Sequence, residues 1–414
     1  MHALRQWVNL PATVQLLLVT QMLFNIGFYL VVPFLALYMT DSLAASAAMV
    51  GFVLGLRTFS QQGMFFVGGA LADWWGIRPV LLTGIAIRIA GFTLAGYSTS
   101  LPELIVAVIF IGFGAALFSP AMDTALAFYG VRLEGVSRQD LFAMDAWFSR
   151  IGELVGPVLG TLLIPLGFQL VAYSGAALFG IIFVLHLLIT PAIETPTRQS
   201  ALTGFREVFS NKKFVIFAAA YSVYLVGYNQ LYQGLPVEVE RASGSQAALG
   251  AMFIIASVVS VFGQMPLNSL SARMGRSRAI GVGFAIQAAT FVWVAVANWW
   301  DSLAVAVVFI VTLSVGQMLA VPVSRDLVGV LARERRLGTY FGVLNSFGGL
   351  AVLIAATAVG PLYDDPSSSH AWWAIAVALL IAGVVAVLVA RTVPPASSAY
   401  PDEPDEPDEP DEIA

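Results

Sequence analysis

Long apolar runs of about twenty residues dominate this sequence and restrict its fold more than any other feature. About twenty apolar residues in a helix are needed to cross the hydrocarbon core of a bilayer. The chain is 58% hydrophobic and only 11% charged, which is too apolar for a soluble domain of this length. We therefore predict an all-α integral membrane protein with twelve transmembrane helices, near residues 12–38, 46–70, 79–98, 101–126, 140–165, 168–190, 213–237, 247–270, 279–298, 301–326, 338–362 and 371–391.

The basic residues between these runs predict the orientation of the chain. If the N-terminus is cytoplasmic, fifteen of the 20 Lys and Arg residues fall in cytoplasmic loops and termini, and Arg241 alone falls in an outer loop. Such a bias follows the positive-inside rule. We expect both termini in the cytoplasm and a multi-pass position in the cytoplasmic (inner) membrane.

A polar, partly basic stretch near the middle of the chain divides the apolar runs into two sets of six. This division predicts an N-terminal six-helix bundle at 1–192, a cytoplasmic linker at 193–212 and a C-terminal six-helix bundle at 213–392. The remaining residues, 393–414, contain four Pro-Asp-Glu triplets. Regular proline and dense negative charge prevent a packed core, so we predict a disordered acidic tail.

A short polar hinge recurs in the two halves, at residues 68–78 and 272–278. Both copies keep a glycine, Gly76 and Gly275, about 199 residues apart, whereas Ala272 stands where Asp73 would align. Paired hinges at matching places are typical of duplicated membrane transporters, and the two six-helix bundles should be pseudo-symmetric. An ordinary tight turn is the alternative. The candidates for a cytoplasmic gate or latch are Gly69, Asp73, Gly76, Arg78, Gly275 and Arg276.

Other chemistries find little support in the sequence. The chain has no cysteine and three scattered histidines, so a metal site is not expected. It carries no nucleotide-binding loop and no nucleophile–base pattern, so we expect neither a cofactor nor an enzyme. The expected partners are a small-molecule substrate, protons and the bilayer, with no nucleic acid, and the chain is expected to be a monomer.

Charged residues inside the predicted spans are the candidates for proton coupling, because a charge in the membrane usually faces a cavity or a partner. A coupling carboxylate must change protonation as its surroundings change between wet and dry. Glu153 and Asp145 are our choices, with Arg150, Arg57 or Arg88 as their partners. The alternative is a permanent ion pair that only holds helices together.

Aromatic and amide side chains recur on the first and seventh predicted helices, the equivalent helices of the two halves. Aromatic rings and neutral amides suit large, apolar or cationic guests. Simple aromatic packing is the alternative, especially for Tyr232. The candidates for lining a substrate cavity are Gln21, Asn25, Phe28, Tyr29, Tyr221, Tyr224, Tyr228 and Asn229.

With the twelve runs, the two halves and the paired hinges in view, the chain resembles the major facilitator superfamily over residues 10–392. The motif Gly69-x-x-x-Asp73-x-x-Gly76-x-Arg78 is similar to the hallmark loop of that superfamily, but Trp74 and Ile77 replace its usual basic residues. The resemblance implies that Asp73 helps to latch the halves together on the cytoplasmic side. It also implies that the first and seventh helices line the central cavity.

A second motif lies in the fifth span, at Gly152-x-x-x-Gly156-Pro157-x-x-Gly160. It resembles the glycine-proline motif that marks antiporters in the superfamily, although Thr161 stands where a further glycine is usual. A small-residue packing face is the alternative. Residues 55–63 and 88–92, with the first hinge, are similar to the MdtH-type multidrug-resistance exporters.

These features predict a secondary active transporter that exports amphipathic small molecules, such as drugs or toxic compounds, in exchange for protons by alternating access. A specific metabolite or siderophore exporter and a proton-coupled uptake symporter are alternatives, since a fold does not fix its substrate. A receptor or scaffold that does not transport is a more remote one.

Overall fold

The computed structural model of the chain describes residues 10–133, 138–191, 201–244, 248–332, 337–365 and 369–393. Within these ranges the regular elements are helices, and no strand is present. The predicted acidic tail, apart from residue 393, and the first part of the predicted linker, 193–200, lie outside the described residues. The predicted all-α fold class is confirmed.

The first half consists of eight helices. A 3₁₀ turn, Val32–Phe34, with a proline at its second position, joins the first two, so that together they form one broken span. Local sequence fixes two other starts: the Ser46 side chain caps α3, and Ser100 and Glu103 form a capping box at α6. The helices are α1 Ala12–Val31, α2 Leu35–Asp41, α3 Ala47–Thr58, α4 Phe65–Trp75, α5 Ile77–Tyr97, α6 Leu101–Arg132, α7 Arg138–Leu163 and α8 Phe168–Ile189.

The second half repeats this order after one short helix, α9, that lies within the predicted linker. The seventh span is broken like the first, because α10 ends before α11 begins. Its helices are α9 Ala201–Ser210, α10 Lys212–Asn229, α11 Gly234–Ser243, α12 Leu249–Met274, α13 Arg276–Val296, α14 Leu303–Leu331, α15 Leu337–Val359 and α16 His370–Arg391.

Ten helical segments in the described residues are long and apolar enough to cross a membrane, or eleven if the bent helix α12 counts as one span. The bend in α12 is 54° and falls at Pro266, since proline removes a backbone hydrogen bond and clashes with the preceding turn. The second predicted span is helical in two pieces, α3 and α4, joined by a π-helical segment, Phe59–Gly63. Neither piece alone is long enough to cross a bilayer, so the count of twelve remains a prediction.

The two halves use the same helix contacts. In the first half α1 packs against α7 and α8, and α5 packs against α6 and α8. In the second half α10 packs against α15 and α16, and α13 packs against α14 and α16. The halves meet where α15 packs against α3 and α4, and where α12 packs against α7. The helix pairs within each half thus pack in the same pattern, and α3, α4, α7, α12 and α15 contribute to the contact between the halves.

The hinge glycines take a backbone conformation that other residues rarely adopt. Gly76 separates α4 from α5 with φ at 89°, and Gly275 separates α12 from α13 with φ at 81°. Only glycine reaches this region without steric cost. The two hinges are therefore alike in backbone as well as in sequence.

Paired glycines bring two helices of each half into close contact. A Cβ atom on Gly84 of α5 would lie 2.8 Å from the carbonyl oxygen of Gly114 on α6. In the second half a Cβ atom on Gly283 would lie 2.6 Å from the carbonyl oxygen of Gly316. Small residues allow membrane helices to approach until their backbones touch, and dispersion forces then hold them together.

This packing predicts a selective loss of stability in Gly84→Ala. The added methyl group would meet backbone atoms of Gly114 and Phe118, and we expect a cost of about 1–3 kcal/mol for such overpacking. The matched control is Gly180→Ala in α8, where a Cβ atom has no neighbour within 4 Å. Thermal denaturation of the purified full chain in detergent measures both. A midpoint for Gly84→Ala at or above that of the control would contradict this packing.

Candidate functional site

A cavity lies between the halves, with an empty volume of about 570 Å³ that includes open solvent. Three spans contribute four lining residues each, because the first, second and seventh spans converge there. The lining residues are Phe24, Asn25, Phe28, Tyr29, Arg57, Thr58, Gln61, Gln62, Leu225, Tyr228, Asn229 and Tyr232.

Most of the residues proposed from the sequence for a cavity lie here, but some do not. Among the lining residues are Asn25, Phe28, Tyr29, Tyr228 and Asn229. Three other candidates, Gln21, Tyr221 and Tyr224, are not part of the lining. The Tyr221 and Tyr224 rings pack on each other with centroids 4.4 Å apart, and Gln21 accepts a hydrogen bond from Asn25 through its backbone. Tyr232, for which the sequence favours simple packing, is a lining residue.

Sequence reasoning missed three lining residues on the second span: Thr58, Gln61 and Gln62. The Thr58 hydroxyl donates to the Asn229 side-chain oxygen at 3.0 Å and so connects the halves. The available signal was the run of polar residues in the middle of an apolar span, of which only Arg57 was selected. Neutral polar groups there deserve the same weight as charges, because both need a partner in the membrane.

Two tyrosines at equivalent positions of the halves meet in the cavity wall. The hydroxyls of Tyr29 and Tyr228, 199 residues apart, are 3.0 Å from each other. That separation is also the spacing of the hinge glycines, so this contact joins pseudo-symmetric positions. Tyr228 also lies 3.3 Å from the Tyr232 hydroxyl. The chain of hydroxyls spans the interface between the first and seventh spans.

The fifth span places an ion pair at the same interface. Arg150 donates to Glu153 at 2.7 Å, and its other terminal nitrogen donates to the side-chain oxygen of Gln264 on α12 at 3.0 Å. The Ser257 hydroxyl, also on α12, donates to the Glu153 backbone oxygen at 2.7 Å. The side chains of Arg150 and Glu153 are 37% and 17% exposed. The predicted pair is therefore formed, and its arginine bridges the two halves.

Arg57 and Arg88 do not join this pair. In the part of the chain that the structure describes, neither guanidinium forms an ion pair with a carboxylate. Arg57 donates to the Gln61 side chain and lies 4.5 Å from the centroid of the Phe28 ring. Arg88 is fully buried, with the Phe24 ring 4.0 Å away. The sequence suggested both as partners of Glu153 or Asp145, and the structure places them against aromatic rings instead.

Asp145 is half-buried on α7, eight residues before Glu153. It takes part in none of the ion pairs among the described residues. Its role as a second coupling carboxylate therefore remains a prediction.

The glycine motif of the fifth span packs directly behind the cavity. A Cβ atom on Gly152 would lie 2.7 Å from the Asn25 Cβ atom, and one on Gly156 would lie 2.6 Å from the Tyr29 Cβ atom. A Cβ atom on Gly160 would lie 2.7 Å from the carbonyl oxygen of Leu30. Pro157 is buried inside the same helix. The motif lets α7 touch the α1 backbone and so holds two lining residues in place.

The hinge bases bond within their own halves. Arg78 donates to the carbonyl oxygen of Leu187 on α8 at 2.9 Å, and Arg276 lies 3.5 Å from the Asp326 carboxylate on α14. A Cβ atom on Gly69 would have no neighbour within 4 Å. The side chain of Asp73 lies outside the described residues. These bonds thus join Arg78 and Arg276 to residues of their own halves. A latch between the halves remains a prediction.

Comparison with known proteins supplies the family. The chain matches the model of the Major Facilitator Superfamily over residues 17–356, with a second match over 235–412. It is 33% identical over 399 residues to an uncharacterized MFS-type transporter of Mycobacterium tuberculosis strain H37Rv, covering 93% of this chain and 94% of that one. It is 30% identical over 332 residues to the multidrug resistance protein MdtH of Salmonella typhimurium, covering 79% and 80%.

Solved structures agree with this fold. A crystal structure of an auto-inhibited POT family peptide transporter superposes with a TM-score of 0.78 at 14% identity, covering 94% of this chain and 99% of that one. A nucleoside transporter, NupG, superposes with a TM-score of 0.69 at 18% identity, covering 92% and 98%. At such identities the likeness shows the fold alone. Together with the family match and the membrane-spanning helices, it places this chain in the major facilitator superfamily of membrane transporters.

Proposed function

We propose that this protein exports amphipathic small molecules across the cytoplasmic membrane in exchange for protons. The relatives named as multidrug resistance proteins support this direction and substrate class. The cavity supports it as well, since aromatic rings and amides line a space that lies between two bundles. Both termini would face the cytoplasm, as the distribution of basic residues indicates.

Transport would proceed by rocking the halves, residues 1–192 and 213–392, about the cavity. The interface is suited to this motion because small residues face each other where α3 meets α15. A Cβ atom on Gly55 of α3 would lie 3.2 Å from the Ala356 Cβ atom of α15, so the helices touch without interlocking side chains. In the alternative conformation, which differs from the one in this structure, the hinge residues Asp73 and Arg78 would form the latch between the halves.

The observation that carries the coupling proposal is the position of Arg150 between Glu153 and Gln264. While Glu153 is ionised, it fixes the guanidinium that bonds across the interface. A proton on Glu153 removes the charge and weakens that hold, and hydrogen bonds to charged groups are worth about 1.5–3 kcal/mol. Protonation of Glu153 in the fifth span would thereby alter the hydrogen bond from Arg150 to Gln264 on α12. A proton can in this way shift the equilibrium between the two conformations.

Glu153→Gln tests the coupling. We expect gradient-driven transport to fall by at least about tenfold, because glutamine cannot exchange a proton, while substrate binding stays largely intact. The measurement uses proteoliposomes with an imposed proton gradient and three fluorescent amphiphiles, one cationic, one neutral and one anionic. Asp301→Asn is the matched control, since it removes an exposed carboxylate that pairs with Arg241 and is not a lining residue of the cavity. Unchanged uphill transport in Glu153→Gln would remove Glu153 from the coupling role.

A cysteine pair tests alternating access. The native chain has no cysteine, so Gly55→Cys with Ala356→Cys introduces the only thiols. The separation of their Cβ atoms is close to the range of about 3.5–4.5 Å that a disulfide requires. We expect an oxidant to join the halves and stop transport, and a reductant to restore it. The two single variants are the controls, and full transport by the oxidised pair would contradict rocking at this interface.

A further inference from the structure

The described lining of the cavity includes a positive charge and no negative charge. Among the described lining residues, Arg57 alone carries a charge, and no lining residue is acidic. Glu153, on the neighbouring fifth span, already has a partner in Arg150 at 2.7 Å. The free charge at the cavity wall is therefore positive.

Arg57 is only partly satisfied. Its side chain is buried at 6% exposure, and one terminal nitrogen donates to Gln61. Its Nε atom is buried without a hydrogen-bond partner. A guanidinium in a protein remains protonated, and burying it without a negative partner is costly. A guest that supplies a negative group would relieve this cost.

A second guanidinium lies directly behind the cavity wall. Arg88 is completely buried, and none of its three guanidinium nitrogens has a hydrogen-bond partner. Its Cζ atom lies 4.0 Å from the centroid of the Phe24 ring, and Phe24 is a lining residue of the cavity. The equivalent position of the other half is occupied by Gln287, which is also fully buried. The positive charge is thus specific to the first half.

The two arginines also occupy one face of two of the five aromatic rings that line the cavity. Arg57 lies over Phe28 at 4.5 Å, and Arg88 lies over Phe24 at 4.0 Å. A phenyl ring attracts a cation through its negative face. With a guanidinium already on one face of each of these two rings, a cationic guest beside them would meet like charges.

We propose that the cavity binds organic anions: molecules with an aromatic or aliphatic body and one acidic group, such as a carboxylate or sulfonate. Arg57 neutralises the acidic group, while the tyrosines at the interface contact the body. This specificity rests on the proposed transport function, because it names the substrate class of the same cavity. It reverses the preference for apolar or cationic guests that the aromatic residues suggest in the sequence.

The test measures equilibrium binding to the purified full chain in lipid nanodiscs by calorimetry. No gradient is imposed. The probes are 2-naphthylacetate, 2-naphthylacetamide and 2-(2-naphthyl)ethylammonium, which share one ring system and differ in charge. We expect the anion to bind at least about tenfold more tightly than either of the others, because only the anion pairs with Arg57. Arg57→Gln should abolish this preference, so that the anion binds no more tightly than the neutral amide.

Two further variants keep the outcome decisive. Arg57→Lys retains the charge and should retain part of the preference. Arg88→Gln introduces the residue found at the equivalent position of the other half, Gln287, which packs beside the equivalent glycine pair. We expect this variant to weaken anion binding less than Arg57→Gln does.

Tighter binding of the ammonium probe by the native chain would overturn the proposal. So would a preference for the anion that persists in Arg57→Gln, or no binding by any of the three probes. Gradient-driven transport of another compound would leave the export function standing in each of these cases. Conversely, anion binding without proton movement in proteoliposomes would contradict proton antiport alone.

Discussion

The absence of water from the hydrocarbon core is the constraint on which this structure depends. Backbone groups there must be satisfied within the chain, which leaves helices as the available element. Because lipid is as apolar as leucine, the helices gain little from hiding apolar side chains and associate through close packing. The glycines at Gly84, Gly114, Gly283 and Gly316 permit that approach, and the same device recurs in the fifth span behind Asn25 and Tyr29.

The same constraint makes every polar side chain in the interior informative. Thr58, Asn229, Tyr29 and Tyr228 satisfy one another across the interface, so the bonds that lower the cost of burial also join the halves. Such bonds can break in one conformation and be replaced by others in the next. Arg57 and Arg88 differ from these groups, since part of the Arg57 guanidinium and all of the Arg88 guanidinium have no hydrogen-bond partner. An unsatisfied charge in a cavity wall is most simply explained by a guest that completes it.

Much of the architecture could be predicted because it rests on patterns that lie close together in the chain. Apolar runs predict helices, a glycine between them predicts a hinge, and residues three apart, such as Arg150 and Glu153, can pair on one helix face. Internal repetition added the equivalence of Tyr29 and Tyr228. The cavity was predicted less well. Gln21, Tyr221 and Tyr224 face elsewhere, whereas Thr58, Gln61 and Gln62 were overlooked, because the direction of a side chain depends on how its helix is rotated against its neighbours.

The sequence by itself determined the helical membrane fold, the repeated hinge and the ion pair of the fifth span, since local spacing and hydropathy suffice for these. Only the tertiary structure decided the partners of the arginines. Arg57 and Phe28 are far apart in the chain, as are Arg88 and Phe24, and their contacts exist because the first three spans pack together. From the sequence the aromatic residues suggest a site for large, apolar or cationic guests. In the folded chain guanidinium groups already face two of those rings, which turns the cavity toward anions.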